Sequence, residues 1–146
     1  MRQSRLKRYI WVSFAFYCLI MLWLLFYRAR GDERSCSLEP LYTIRGYFNI
    51  LFHPDIYGWG LRRYAVINFG GNILLFVPLG LFLPSLFPAQ QRFWVFFLTV
   101  ALTISAVEVT QYLTYTGAMD VDDLLLNTAG ACLGYLLFKT TILQNI

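Results

Sequence analysis

Four apolar runs, each close to the length of about 20 residues that a helix needs to cross a bilayer, constrain this chain more than any motif does. The first, Tyr9 to Tyr27, is interrupted only by Ser13. The others run from about Tyr64 to Leu83, Phe93 to Leu113 and Leu124 to Leu143. A segment in hydrocarbon must satisfy its backbone hydrogen bonds internally, so apolar runs of this length span as helices. The expected fold is all-α: a polytopic helical membrane bundle of about four transmembrane helices, in one domain covering residues 1–146. Composition agrees. With 58% hydrophobic residues, 14% charged and a mean hydropathy of +0.55, a soluble reading would leave large apolar patches in water.

Charge then suggests orientation. Arg2, Arg5, Lys7 and Arg8 precede the first run, and "FYRARGD" follows it in place of the small residues of a cleavage site, as in a retained signal-anchor. With a cytoplasmic N-terminus, Arg92 and Lys139 are also inside, and Arg28, Arg30, Arg34, Arg45, Arg62 and Arg63 are outside. The two sides carry equal numbers of cations, and the densely basic flank of the first helix tips the choice toward both termini in the cytoplasm. A multi-pass protein of the cell membrane is expected, with the lipid bilayer as its main partner. No basic, aromatic-lined soluble module is present, so nucleic acid is not an expected partner. Cys18, Cys36 and Cys132 imply no disulfide framework, and no cofactor is indicated.

The long connection, residues 28 to 63, contains "LYTIRGYFNILF", which places Leu41, Ile44, Phe48 and Leu51 at helical spacing. A short helix lying in the membrane interface is expected there. His53 follows in the same loop and reads as an interfacial residue, since no His, Cys or Glu partner stands beside it.

Polar residues inside the runs gather at one end. Asn68 and Asn72 share a face of the second run, Glu108 and Gln111 a face of the third, and Asp123 and Asn127 a face of the fourth, which Gly130 and Gly134 continue as a GxxxG step. All lie toward the long loop. Counting outward from a turn near Gly117 puts Glu108 level with Asn127 and Gln111 level with Asp123, so each pair shares a depth at which its members can face each other. An ionised Glu facing lipid costs at least about 2.5 kcal/mol, so Glu108 is expected to point inward. Asp120, Asp122 and Asp123 begin the fourth run, where one of them can cap the helix and all complement its dipole. Three aspartates near Glu108 exceed what capping needs, unless Arg62, Arg63, a cation or a basic ligand answers them.

The segments "NILLFVPLG" at 72–80, "SAVEVTQ" at 105–111 and "GAMDVDDLLLNTAGACLG" at 117–134 together resemble the VanZ-like family of membrane proteins, over about the last half of the chain. Positions carrying the resemblance are Asn72, Phe76, Pro78, Gly80, Glu108, Gln111, Asp120, Asp123, Asn127, Gly130 and Gly134. In the long loop the family's Asn-Leu-x-Pro-Phe pattern is replaced by "SLEPL", with Pro40 kept. The resemblance implies a polytopic protein of the cell envelope, with glycopeptide (teicoplanin) resistance for the family's founding member, and no particular reaction.

Three functional readings follow. In the first, the acidic, amide-rich mouth formed by Asn72, Glu108, Gln111, Asp120, Asp122, Asp123 and Asn127 binds an envelope lipid, a peptidoglycan precursor or another amphiphile, as an accessory protein would. The alternative is a membrane enzyme acting on a lipid-linked substrate, with Glu108 as general base and the aspartates as ligands for a divalent cation. Against the enzyme stands the lack of any P-loop, GxSxG or HExxH signature. A third possibility is that the polar residues only lock helix packing.

Overall fold

The computed structural model describes residues 2–28 and 36–144. Five α-helices carry the fold: α1 (Arg2–Leu22), α2 (Tyr42–Phe52), α3 (Trp59–Leu86), α4 (Phe93–Thr114) and α5 (Val121–Gln144). Four are long and apolar enough to cross a membrane, over Lys7–Tyr27, Trp59–Leu86, Phe93–Thr114 and Val121–Thr141. The four expected spans and the helix in the first loop are therefore present. Span two begins earlier than the sequence suggested, at Trp59. Arg62 and Arg63 are unfit for hydrocarbon but are good helix formers, so the helix continues outward past the level where the apolar run starts. Arg30 and Arg34, two of the cations weighed for orientation, lie outside the described residues.

The closest packing is between α3 and α5, which run parallel. A methyl group on Gly130 would overlap the Ile73 carbonyl, and one on Gly134 the Val77 carbonyl. From the other side, a methyl on Gly80 would strike the backbone of Ala131 and Tyr135. Lipid supplies no hydrophobic force between helices, so close backbone approach over small residues is how such a pair gains van der Waals contact. The glycine step thus serves the second and fourth spans. Phe76, Phe96, Val100, Ile104, Ala131 and Tyr135 fill the core beside it, together with Met21 from α1.

α1 lies at the edge, with Val12, Phe16 and Leu19 exposed on the outside of the bundle. Trp11 and Phe14 pack on Phe87 and Phe82, and the Tyr17 hydroxyl donates to the Leu75 carbonyl at 2.9 Å. Pro78 and Pro84 sit inside α3, each removing one backbone donor from it. At the end away from the long loop, the Tyr135 hydroxyl donates to the Gln91 carbonyl at 2.6 Å. Phe96 stacks on the same ring at 4.7 Å.

At the opposite end, two short strands pair in parallel: β1 (Cys36–Ser37) and β2 (Met119–Asp120). They tie the long first loop to the α4–α5 turn, so both connections lie at one end of the bundle, the end that holds the acidic residues. Cys18, Cys36 and Cys132 are free thiols.

Candidate functional site

The site starts with a helix that cannot cap itself. At the N-terminus of α2 the capping position is Leu41, whose side chain has no acceptor, although the first backbone amides of any helix need one. Asp122, fully buried at the start of α5, supplies it. Its Oδ1 accepts from the Leu41 amide at 2.6 Å and its Oδ2 from the Ile44 amide at 3.0 Å. Leu41 is in the left-handed region at φ 67°, a conformation that costs a non-glycine residue on the order of 1–3 kcal/mol. The charged bond to Asp122 holds it there.

Asp120 works similarly. Its Oδ1 accepts from the Asp122 amide at 2.9 Å, capping α5, and its Oδ2 accepts from the Thr43 hydroxyl at 2.6 Å. These two aspartates are thus a clamp between α2 and α5. Asp123 turns the other way. Its Oδ1 accepts from the Asn72 side-chain amide at 2.5 Å, joining α5 to α3 just above the glycine contact.

Glu108 stands apart. It is buried, at 7% exposure, and its one hydrogen bond among the described residues comes from the Asp120 amide at 3.4 Å, longer than a well-formed N–H···O bond. It lines a cavity of about 150 Å³ together with Asp120, and the other walls are Leu38, Ser105, Val109, Met119, Val121 and Leu124. That is smaller than the roughly 300–1,000 Å³ of a pocket that engulfs a drug-sized ligand, and has room for a headgroup only.

Neither facing pair expected across the α4–α5 turn is hydrogen-bonded. Gln111 donates instead to the Leu25 carbonyl at 2.8 Å, in the π-helical turn Trp23–Arg28 that ends the first span. Asn127 is buried, and its Oδ1 has no hydrogen-bond partner among the described residues. Arg62 and Arg63 do not turn toward the acids. They line a groove with Leu51, Trp59, Val66 and Ile67. His53 is exposed, its Nδ1 2.9 Å from the Asn49 carbonyl. Among the described residues, no group of three or more His, Cys, Asp or Glu side chains is arranged to hold a metal ion. The oxygens of Asp120 and Asp122 accept from backbone amides and from the Thr43 hydroxyl.

Thr43 and Tyr47 join the site without having been anticipated. Tyr47 is buried on α2. Burial first, then Tyr64 and the charges of Asp123, Asp120 and Asp122, raise its phenol above the ordinary tyrosine range, so it remains a neutral neighbour of the acids.

Fold and site together define a multi-pass helical membrane protein whose acidic end is built by the long loop, the α4–α5 turn and the heads of α3 and α5. The VanZ/LLP1 family profile matches residues 14–144, nearly the whole chain, and the chain belongs to that family. No curated protein and no solved structure matches it.

Proposed function

We propose that the chain is a single-domain accessory protein of the cell envelope that binds the headgroup of an amphiphile, an envelope lipid or a peptidoglycan precursor, at Glu108. The observation that carries this reading is the contrast among four neighbouring acids. Asp120 and Asp122 are engaged by α2 and Asp123 by Asn72; Asp120 and Glu108 both line the mostly apolar cavity, but the Asp120 oxygens already accept from Asp122 and Thr43, whereas Glu108 has only one long hydrogen bond among the described residues. A carboxyl group at that depth is costly unless it meets a donor or a cation, so the ligand class is an amphiphile bearing an ammonium or another strong hydrogen-bond donor near its polar end. Asn72, Asp123 and Asn127 lie at the same end of the bundle without lining the cavity, and Gln111 holds the Leu25 carbonyl of the turn that ends the first span. Both termini are cytoplasmic in this reading, and the site opens outward, where envelope precursors are used.

Teicoplanin protection is the phenotype to examine. Cells producing the chain are compared with cells producing Glu108→Gln at matched membrane abundance. Protection that the wild type confers and the variant does not supports a ligand role for Glu108. Equal protection by both would refute it.

A further inference from the structure

A groove apart from the Glu108 cavity lies between the end of α2 and the start of α3. α3 has 28 residues, about 42 Å at 1.5 Å per residue, against a hydrocarbon core of about 30 Å. Its first turn therefore projects to headgroup level. Arg62 and Arg63 stand in that turn beside Trp59, a residue type that favours the same depth. With Leu51 of α2 and with Val66 and Ile67 one turn further in, they line a groove of about 370 Å³. Val66 and Ile67 are more than or about half exposed on a membrane-spanning helix, so this groove opens toward lipid.

Its polar and apolar parts are arranged along the depth axis. Guanidinium groups lie at the outer level and aliphatic side chains below, the order found in a phospholipid from phosphate to acyl chain. The Arg62 Nε is buried and has no hydrogen-bond partner among the described residues. A buried donor without an acceptor is costly, the more so on a charged group. Guanidinium forks match phosphate oxygens in pairs. Two adjacent cations favour a headgroup of net negative charge over a zwitterionic one.

We infer that the groove between α2 and the outer turn of α3 is a binding site for an anionic phospholipid, with Arg62 and Arg63 on the phosphate and Leu51, Val66 and Ile67 against the start of an acyl chain. It shares no residue with the Glu108 cavity, so the two readings fail separately.

The test is native mass spectrometry of the full chain in detergent, titrated with phosphatidylglycerol and with phosphatidylcholine. Two arginines near an anionic headgroup give a preference for phosphatidylglycerol of roughly thirtyfold. The double variant R62Q/R63Q should reduce the preference to about one. Arg92→Gln, which removes an exposed cation at the other end, should leave it unchanged. Ile67→Trp keeps both arginines and fills the lipid-facing wall; it should weaken binding of phosphatidylglycerol even if the double variant fails to fold. Equal binding of the two lipids by the wild type would overturn the inference. So would a preference that survives R62Q/R63Q, or one that falls equally in Arg92→Gln, which would mark bulk charge. Displacement of phosphatidylglycerol by excess inorganic phosphate would overturn the lipid assignment in favour of a free-phosphate site.

Discussion

Replacing Asp122 with alanine should release α2 from the bundle. In the folded chain this fully buried carboxylate accepts from the amides of Leu41 and Ile44, and hydrogen bonds to a charged group contribute about 1.5–3 kcal/mol each. The two together hold α2 in place by about 3–6 kcal/mol, before the strain at Leu41 is counted. Taking the lower figure, because neighbouring bonds are not additive, the undocked population rises on the order of 100-fold. Limited trypsin digestion of the full chain in detergent reads that population when opening and closing are fast relative to cleavage. The diagnostic cut follows Arg45, which lies within α2 and becomes accessible only when the helix undocks and unwinds. Asp122→Asn keeps one acceptor oxygen and should show a smaller increase. Cleavage after Arg45 at the wild-type rate in Asp122→Ala, with wild-type thermal stability, would refute the idea that this carboxylate caps α2.

Other substitutions separate packing from function. Gly134→Ala drives a methyl group into the Val77 carbonyl and should lower stability by at least about 1–3 kcal/mol, measured by unfolding in mixed micelles. Tyr135→Phe loses the bond to the Gln91 carbonyl and should cost about 1 kcal/mol in the same assay. Tyr47 has a phenol raised above its ordinary value of 10.0. The folded chain favours its neutral form, so this contribution is fully present below about pH 10 and is lost as pH rises beyond it. Tyr47→Phe should therefore unfold less steeply than the wild type between pH 10 and pH 12, as followed by helicity; identical alkaline profiles would contradict this.

The sequence carried the helices more plainly than the site. Apolar length alone located four spans, because in lipid a helix is the one local solution open to such a run. The glycine step at Gly130 and Gly134 was also legible, but not its partner. Helical spacing names a face, and only the three-dimensional arrangement shows that Ile73 and Val77 of α3 meet it. The number of acids points to a ligand, whereas Asp122 and Asp120 also hold α2, a contact across about eighty positions of sequence. One local signal pointed there: a helix beginning "PLYTI" has no Ser, Thr, Asp or Asn at its cap and must take an acceptor from elsewhere. Counting residues outward from the turn failed for Gln111 and Asp123 because equal depth does not set rotation. Gln111 turned to the carbonyl end of the first span, and Asp123 to Asn72.

The central claim is that Glu108 serves a ligand, and calorimetric titration of the full chain in nanodiscs tests it most directly. The probes are dodecylamine and dodecanol, which share a hydrocarbon chain and differ in the ammonium group. Glu108→Gln is nearly isosteric and gives up little beyond one 3.4 Å hydrogen bond, so its unfolding midpoint should match the wild type. Dodecylamine should bind the wild type saturably and well above dodecanol, and Glu108→Gln should bind the two alike. Equal binding of both probes by the wild type, or an amine preference undiminished in a folded Glu108→Gln, would contradict the claim and leave Glu108 as a packing residue.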